Sequence, residues 1–64
     1  MNIKSERCFN NTFRLTVASP KSPYYGKRYV IRGEEWCRQT SSEAKSLISV
    51  ETGIDRNKIR FIHF

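Results

Sequence analysis

Thr40-Ser41-Ser42-Glu43-Ala44-Lys45-Ser46-Leu47-Ile48-Ser49-Val50-Glu51-Thr52-Gly53-Ile54 is the stretch on which the fold turns. Thr40 and Glu43 have the spacing of a capping box. In that motif the hydroxyl accepts from the backbone N–H three residues on, and the carboxylate reaches back to the first residue. Ala44, Leu47, Ile48 and Val50 or Glu51 recur near i, i+3, i+4 and i+7, which gives one apolar stripe on a helix over 41–52. Gly53 suits the left-handed residue that closes a helix, and Ile54 beyond it can fold back on Ile48. A single helix with one stripe needs one face of a sheet to cover.

Strands are readable on both sides of that helix. Phe13, Leu15 and Val17 alternate with Arg14, Thr16 and Ala18, the period of a half-buried strand. It ends at Ser19-Pro20, because proline has no N–H for the ladder. Residues 19–26, with two prolines and a glycine, form an exposed loop. Lys27–Ile31 reads as a second strand and Lys58–Phe64 as the last, after a turn at Asp55-Arg56-Asn57. Trp36–Gln39 reads either as a short third strand or as the first turn of the helix, and the capping signal at Thr40 favours the strand. The expected fold is α+β, a single domain over 1–64. It has a small three- to four-stranded, mainly antiparallel sheet with one α-helix on one face, in the order β-β-(β)-α-β. Residues 1–9 are expected to be a loosely ordered N-terminal segment.

Strand phase then sorts the side chains. Phe13, Leu15, Val17, Tyr29, Ile31, Ile59 and Phe61 fall beneath the helix, while Arg14, Arg28, Arg32 and Arg60 gather on the other side among Thr16, Val30 and Ile62. Trp36 is expected in the core or packed at the sheet edge, given the area one tryptophan buries.

Composition limits what such a domain can do. The chain has 64 residues and a formal net charge of +6. Residues 1–32 carry seven cations and one acid, whereas residues 33–64 carry five of each, so the excess sits in the first half. A chain this short buries about 60% of its unfolded surface and has little room for a deep substrate cavity. No apolar run approaches the ~20 residues of a membrane helix. The opening residues lack the apolar segment of a secretory signal. No membrane association is therefore expected, and the location is expected to be cytoplasmic.

Catalytic and metal chemistry find few candidates. Cys8, Cys37 and His63 are scattered, with no CxxC or HxxxH pair, so neither a metal site nor a nucleophile–base pair is called for. Cys8 and Cys37 are either one bridge or, as a reducing compartment favours, two thiols. Gly26, Gly33 and Gly53 are isolated and form no phosphate-binding loop. The expectation is a non-enzymatic binding protein without cofactor or metal. The candidate binding residues are Arg14, Lys21, Tyr24, Tyr25, Lys27, Arg28, Arg32 and Arg60. The cations would neutralise phosphates, and Tyr24 and Tyr25 would stack on bases or pack on the sheet. The expected partner is nucleic acid or a nucleoprotein complex. The alternative is a host protein docked on the same arginine-rich face, where arginine and aromatic side chains suit an interface. Ile62 and Phe64 on the closing strand also allow a homodimer by edge pairing.

Trp36–Ile48, followed by Gly53-Ile54 and Lys58–Ile62, resembles small bacteriophage and prophage accessory proteins, in which short strands precede a capped Glu-Ala-Lys helix and a closing strand. Some of these are anti-CRISPR or host-takeover factors. The resemblance covers the last half of the chain and lies in layout. It implies a phage-encoded inhibitor as the alternative function and assigns no residue a role.

Overall fold

Alternation along four short segments builds one sheet in a computed structural model that describes residues 1–63, with side-chain surroundings for 1–62. The strands are β1 (Asn2–Cys8), β2 (Thr12–Val17), β3 (Arg28–Arg32) and β4 (Arg60–His63), and the helix α1 spans Arg38–Thr52. The sheet order is β3-β2-β1-β4. β1 and β2 form an antiparallel hairpin, β2 and β3 are antiparallel, and β4 lies parallel to β1. The protein is thus a small α+β fold, one helix packed on a four-stranded, mostly antiparallel sheet.

The N-terminal segment departs most from the sequence reading. Residues 2–8 are not loose: they form β1, paired on both edges, in the middle of the sheet. Their amphipathic signal is weak because Ile3 is the only apolar side chain of β1 on the covered face, which it shares with Ser5 and Arg7. The third strand is therefore at the N-terminus. Trp36 and Cys37 instead lead into α1, which starts at Arg38, three residues before the expected boundary.

The helix start corrects the capping box as well. Cys37 occupies the N-cap position and makes no side-chain capping bond. Thr40 is buried, and its hydroxyl donates to the Glu35 carbonyl at 2.9 Å. Thr40 thus ties the incoming chain to the first turn from inside the helix. The C-terminal end behaves as read. Gly53 adopts φ 74° and its N–H bonds the Ser49 carbonyl at 2.8 Å, a conformation in which a side chain would be strained. Thr52 closes the last turn, its hydroxyl donating to the Ile48 carbonyl and accepting from the Ile54 N–H.

The buried face of α1 is Thr40, Ala44, Ile48 and Thr52, one residue every helical turn. Ala44 and Ile48 meet Ile3, Leu15, Val17 and Ile59 in one core, flanked by Tyr24, Tyr29, Ile31, Trp36, Ile54 and Phe61. Leu47 is half-buried and Val50 is exposed, so the apolar stripe is narrower than the spacing indicated. Trp36 closes one end of the core, edge-on to Phe13 at 5.3 Å and to Phe61 at 4.9 Å.

Candidate nucleic-acid interface

With α1 on one side, register settles what the other side presents. Cys8 opposes Thr12, which opposes Arg32. Glu6 opposes Arg14, which opposes Val30. Ile62 opposes Lys4, then Thr16, then Arg28. Arg60 opposes Asn2. Among the described residues, the uncovered face therefore carries Lys4, Arg14, Arg28, Arg32 and Arg60 against a single acid, Glu6. Strands lie about 4.8 Å apart and residues about 3.4 Å along a strand. The face is thus about 14 Å on a side, the length of duplex over which about eight phosphate charges are met.

The charges are not equivalent. Glu6 sits at the centre, its carboxylate 3.0 Å from Arg14 Nη2 and 3.6 Å from Lys4 Nζ. Hydrogen bonding from Arg14, reinforced by the positive charge of Arg14 and Lys4, holds the Glu6 carboxyl below its ordinary value. Arg28, Arg32 and Arg60 are exposed and, among the described residues, have no carboxylate within ion-pair distance. They stand at the two edge strands, with the neutralised pair between them.

The loop residues divide differently. Lys21 is exposed in the loop after β2. Lys27 precedes β3 by one residue, and alternation sets it in phase with Tyr29 rather than with Arg28, so it is not part of the uncovered face. Tyr24 is half-buried and its hydroxyl donates to the Thr52 carbonyl at 3.0 Å, which pins the loop to the end of α1. Tyr24 therefore packs and offers no stacking surface. Tyr25, 61% exposed, leaves its ring open to solvent.

Sequence reasoning passed over Lys4 and Glu6, because residues 1–9 carried no strong strand period. It also did not single out Phe9, which is 91% exposed at the tip of the β1–β2 hairpin. Asn10 and Asn11 there take φ values of 59° and 54°, and Asn-Asn is the one local signal for such a left-handed turn. A shallow cleft of about 570 Å³ opens beside this tip, lined by Asn10, Asn11, Arg32, Gly33 and Glu34.

Both cysteines are free thiols. Cys8 is on the uncovered face and Cys37 is on the helix side, so the sheet separates them. The Thr40 hydroxyl, 3.3 Å away, holds the Cys37 thiol below its ordinary value. Among the described residues, no three His, Cys, Asp or Glu side chains come together as a metal site. No helix is long and apolar enough to cross a membrane.

Comparison with protein-family models, with curated proteins and with solved structures finds no match to this chain.

Glu6 makes a testable contribution. Replacing it by glutamine leaves the strand pairing intact, releases Arg14, and removes the one negative charge from the face. Binding to a duplex is expected to tighten several-fold at low salt, and the slope of log K against log salt to steepen by about one. A fluorescence-anisotropy titration at several salt concentrations reads both. The variant also alters acid sensitivity. A carboxyl held low in the folded state stabilises above its unfolded value, and that contribution is lost as pH falls through the folded value. Glu6→Gln is expected to flatten that part of the pH–stability profile.

Proposed function

We propose that this chain is a non-enzymatic, intracellular protein that binds nucleic acid, or a nucleoprotein complex, through the uncovered face of its sheet. The observation that carries this reading is the segregation of Lys4, Arg14, Arg28, Arg32 and Arg60 against Glu6 alone on one side, with the helix on the other. Phosphate contacts release condensed counterions, so affinity arises from charge and falls steeply with salt. Arg28, Arg32 and Arg60, which have no ion pair among the described residues, imply a slope of about −3 on a duplex. Anisotropy titrations of duplex and single-stranded oligonucleotides at low and moderate salt test it. Failure to bind either at low salt removes the proposal.

A second reading rests on Val30 and Ile62, 63% and 41% exposed on the same face among the arginines. Apolar side chains between arginines suit a protein interface, and a phage-type inhibitor of a host protein, of the anti-CRISPR or takeover kind, would dock there. Capture of one stoichiometric protein from bacterial lysate after nuclease treatment favours that reading. Loss of all partners after nuclease favours nucleic acid. β4 is an edge strand, and its pairing with a second copy is the proposed route to a homodimer. Phe64, the other side chain invoked for that contact, lies outside the described residues.

A further inference from the structure

We infer that the β1–β2 hairpin tip is a minor-groove wedge, with Phe9 as the side chain that enters a base step of double-stranded DNA. The inference rests on the nucleic-acid reading above and gives it a duplex target. Phe9 is 91% exposed and belongs to neither the core nor its flanking shell. A ring that exposed buries little apolar surface and so adds little to the fold.

Its surroundings match one kind of ligand. The turn is held firmly: the Thr12 hydroxyl donates to the Phe9 carbonyl at 2.6 Å, and the Gly33 N–H bonds the Asn11 carbonyl at 2.7 Å. Arg7, over the Phe13 ring, donates to the Glu34 carbonyl and braces the neighbouring segment. Next to Phe9 in the chain, Asn10 and Asn11 line the cleft together with Arg32, residues whose amide and guanidinium groups are donors. The floor of the minor groove presents acceptors at every A·T pair, which such donors read, and an apolar wedge beside them unstacks one step and kinks the duplex. Glu34, on the same cleft, is repelled by phosphates and by acceptor edges alike, so the groove contact falls to the Asn10, Asn11 and Arg32 side.

Arg32 joins the two parts of the surface, since it lines the cleft and also ends the row of arginines on β3. The tip can therefore enter the groove while the sheet face lies on the flanking backbone. Pyrimidine–purine steps, which unstack most easily, are the preferred site. A single strand offers no groove. Among the described residues of the uncovered sheet face there is also no aromatic platform to stack its bases.

The test uses the full chain and a duplex with 2-aminopurine at a central TA step and a fluorophore pair at its ends. Binding is followed by anisotropy on the same samples. Wild type is expected to bind, raise the 2-aminopurine emission several-fold and shorten the end-to-end distance. Phe9→Ala is expected to keep its melting temperature and most of its salt dependence, to lose about tenfold or less in affinity, and to leave both signals at free-duplex values. Phe9→Leu, still an apolar wedge, is expected to restore most of both. Binding by wild type without unstacking or bending, or identical signals from Phe9→Ala, overturns the wedge and leaves charge-driven binding standing. Absence of duplex binding at low salt overturns the wedge together with the reading beneath it. So does capture of a host protein that Phe9→Ala abolishes in nuclease-treated lysate.

Discussion

Ile3→Ala lowers the melting temperature by at least about 10 °C, and deletion of residues 1–8 leaves a chain with no cooperative thermal transition. Ile3 is 0% exposed and stands opposite Val17 on one side and Phe61 on the other. Truncating a buried isoleucine costs about 2–5 kcal/mol, from lost transfer free energy and the cavity left behind. Against about 5 kcal/mol for a domain of this size that is a large share. Each kcal/mol moves the midpoint by about 4–8 °C. Deletion of the whole segment is worse, because β1 lies between β2 and β4. Without it β4 has no partner strand, β2 has an open edge, and the core has lost one of its largest fully buried side chains. Thermal melts followed by circular dichroism read both. An unchanged midpoint in Ile3→Ala would mean that the segment is a tail and that the central strand is misassigned.

The second large effect concerns binding. Arg28→Gln, Arg32→Gln and Arg60→Gln combined are expected to weaken duplex binding on the order of 100-fold at low salt and to bring the salt slope close to zero. These arginines are exposed, so their replacement alters stability by only a few tenths of a kcal/mol each. The informative control removes the same formal charge elsewhere. Arg38→Gln, Lys45→Gln and Lys58→Gln take three cations from α1 and the 3-10 turn at Arg56–Lys58, none of them on the uncovered face. That variant is expected to keep most of the affinity. Equal losses in the two triples would show that net charge alone governs binding and would remove the sheet face as the site.

Much of this surface is legible from residue types alone. A strand shows its two faces by alternation, whatever pairs with it. Arg14 therefore had to oppose the side of Leu15, and Arg28 and Arg32 the side of Tyr29 and Ile31, once those segments were strands. The C-terminal end of α1 was equally local, because a left-handed Gly53 followed by Ile54 is a short-range signal. The separation of the strand arginines from the helix follows from the same patterning.

Partner choice was not legible in this way. Asn2–Cys8 has a polar serine and an arginine on its covered face, so nothing along its length distinguishes a central strand from a polar leader. Only the apolar sides of β2 and β4, each needing a neighbour, place it between them. Thr40 and Tyr24 have side chains that suit a cap or a stacking platform equally well. Their hydroxyls go instead to the carbonyls of Glu35 and Thr52, acceptors that exist only once helix, loop and sheet have met. Patterning of neighbours thus determined which residues share a face. Which strands adjoin, and what each buried hydroxyl bonds, came from tertiary structure, because those contacts join residues far apart in the chain and are set by the packing of the whole domain.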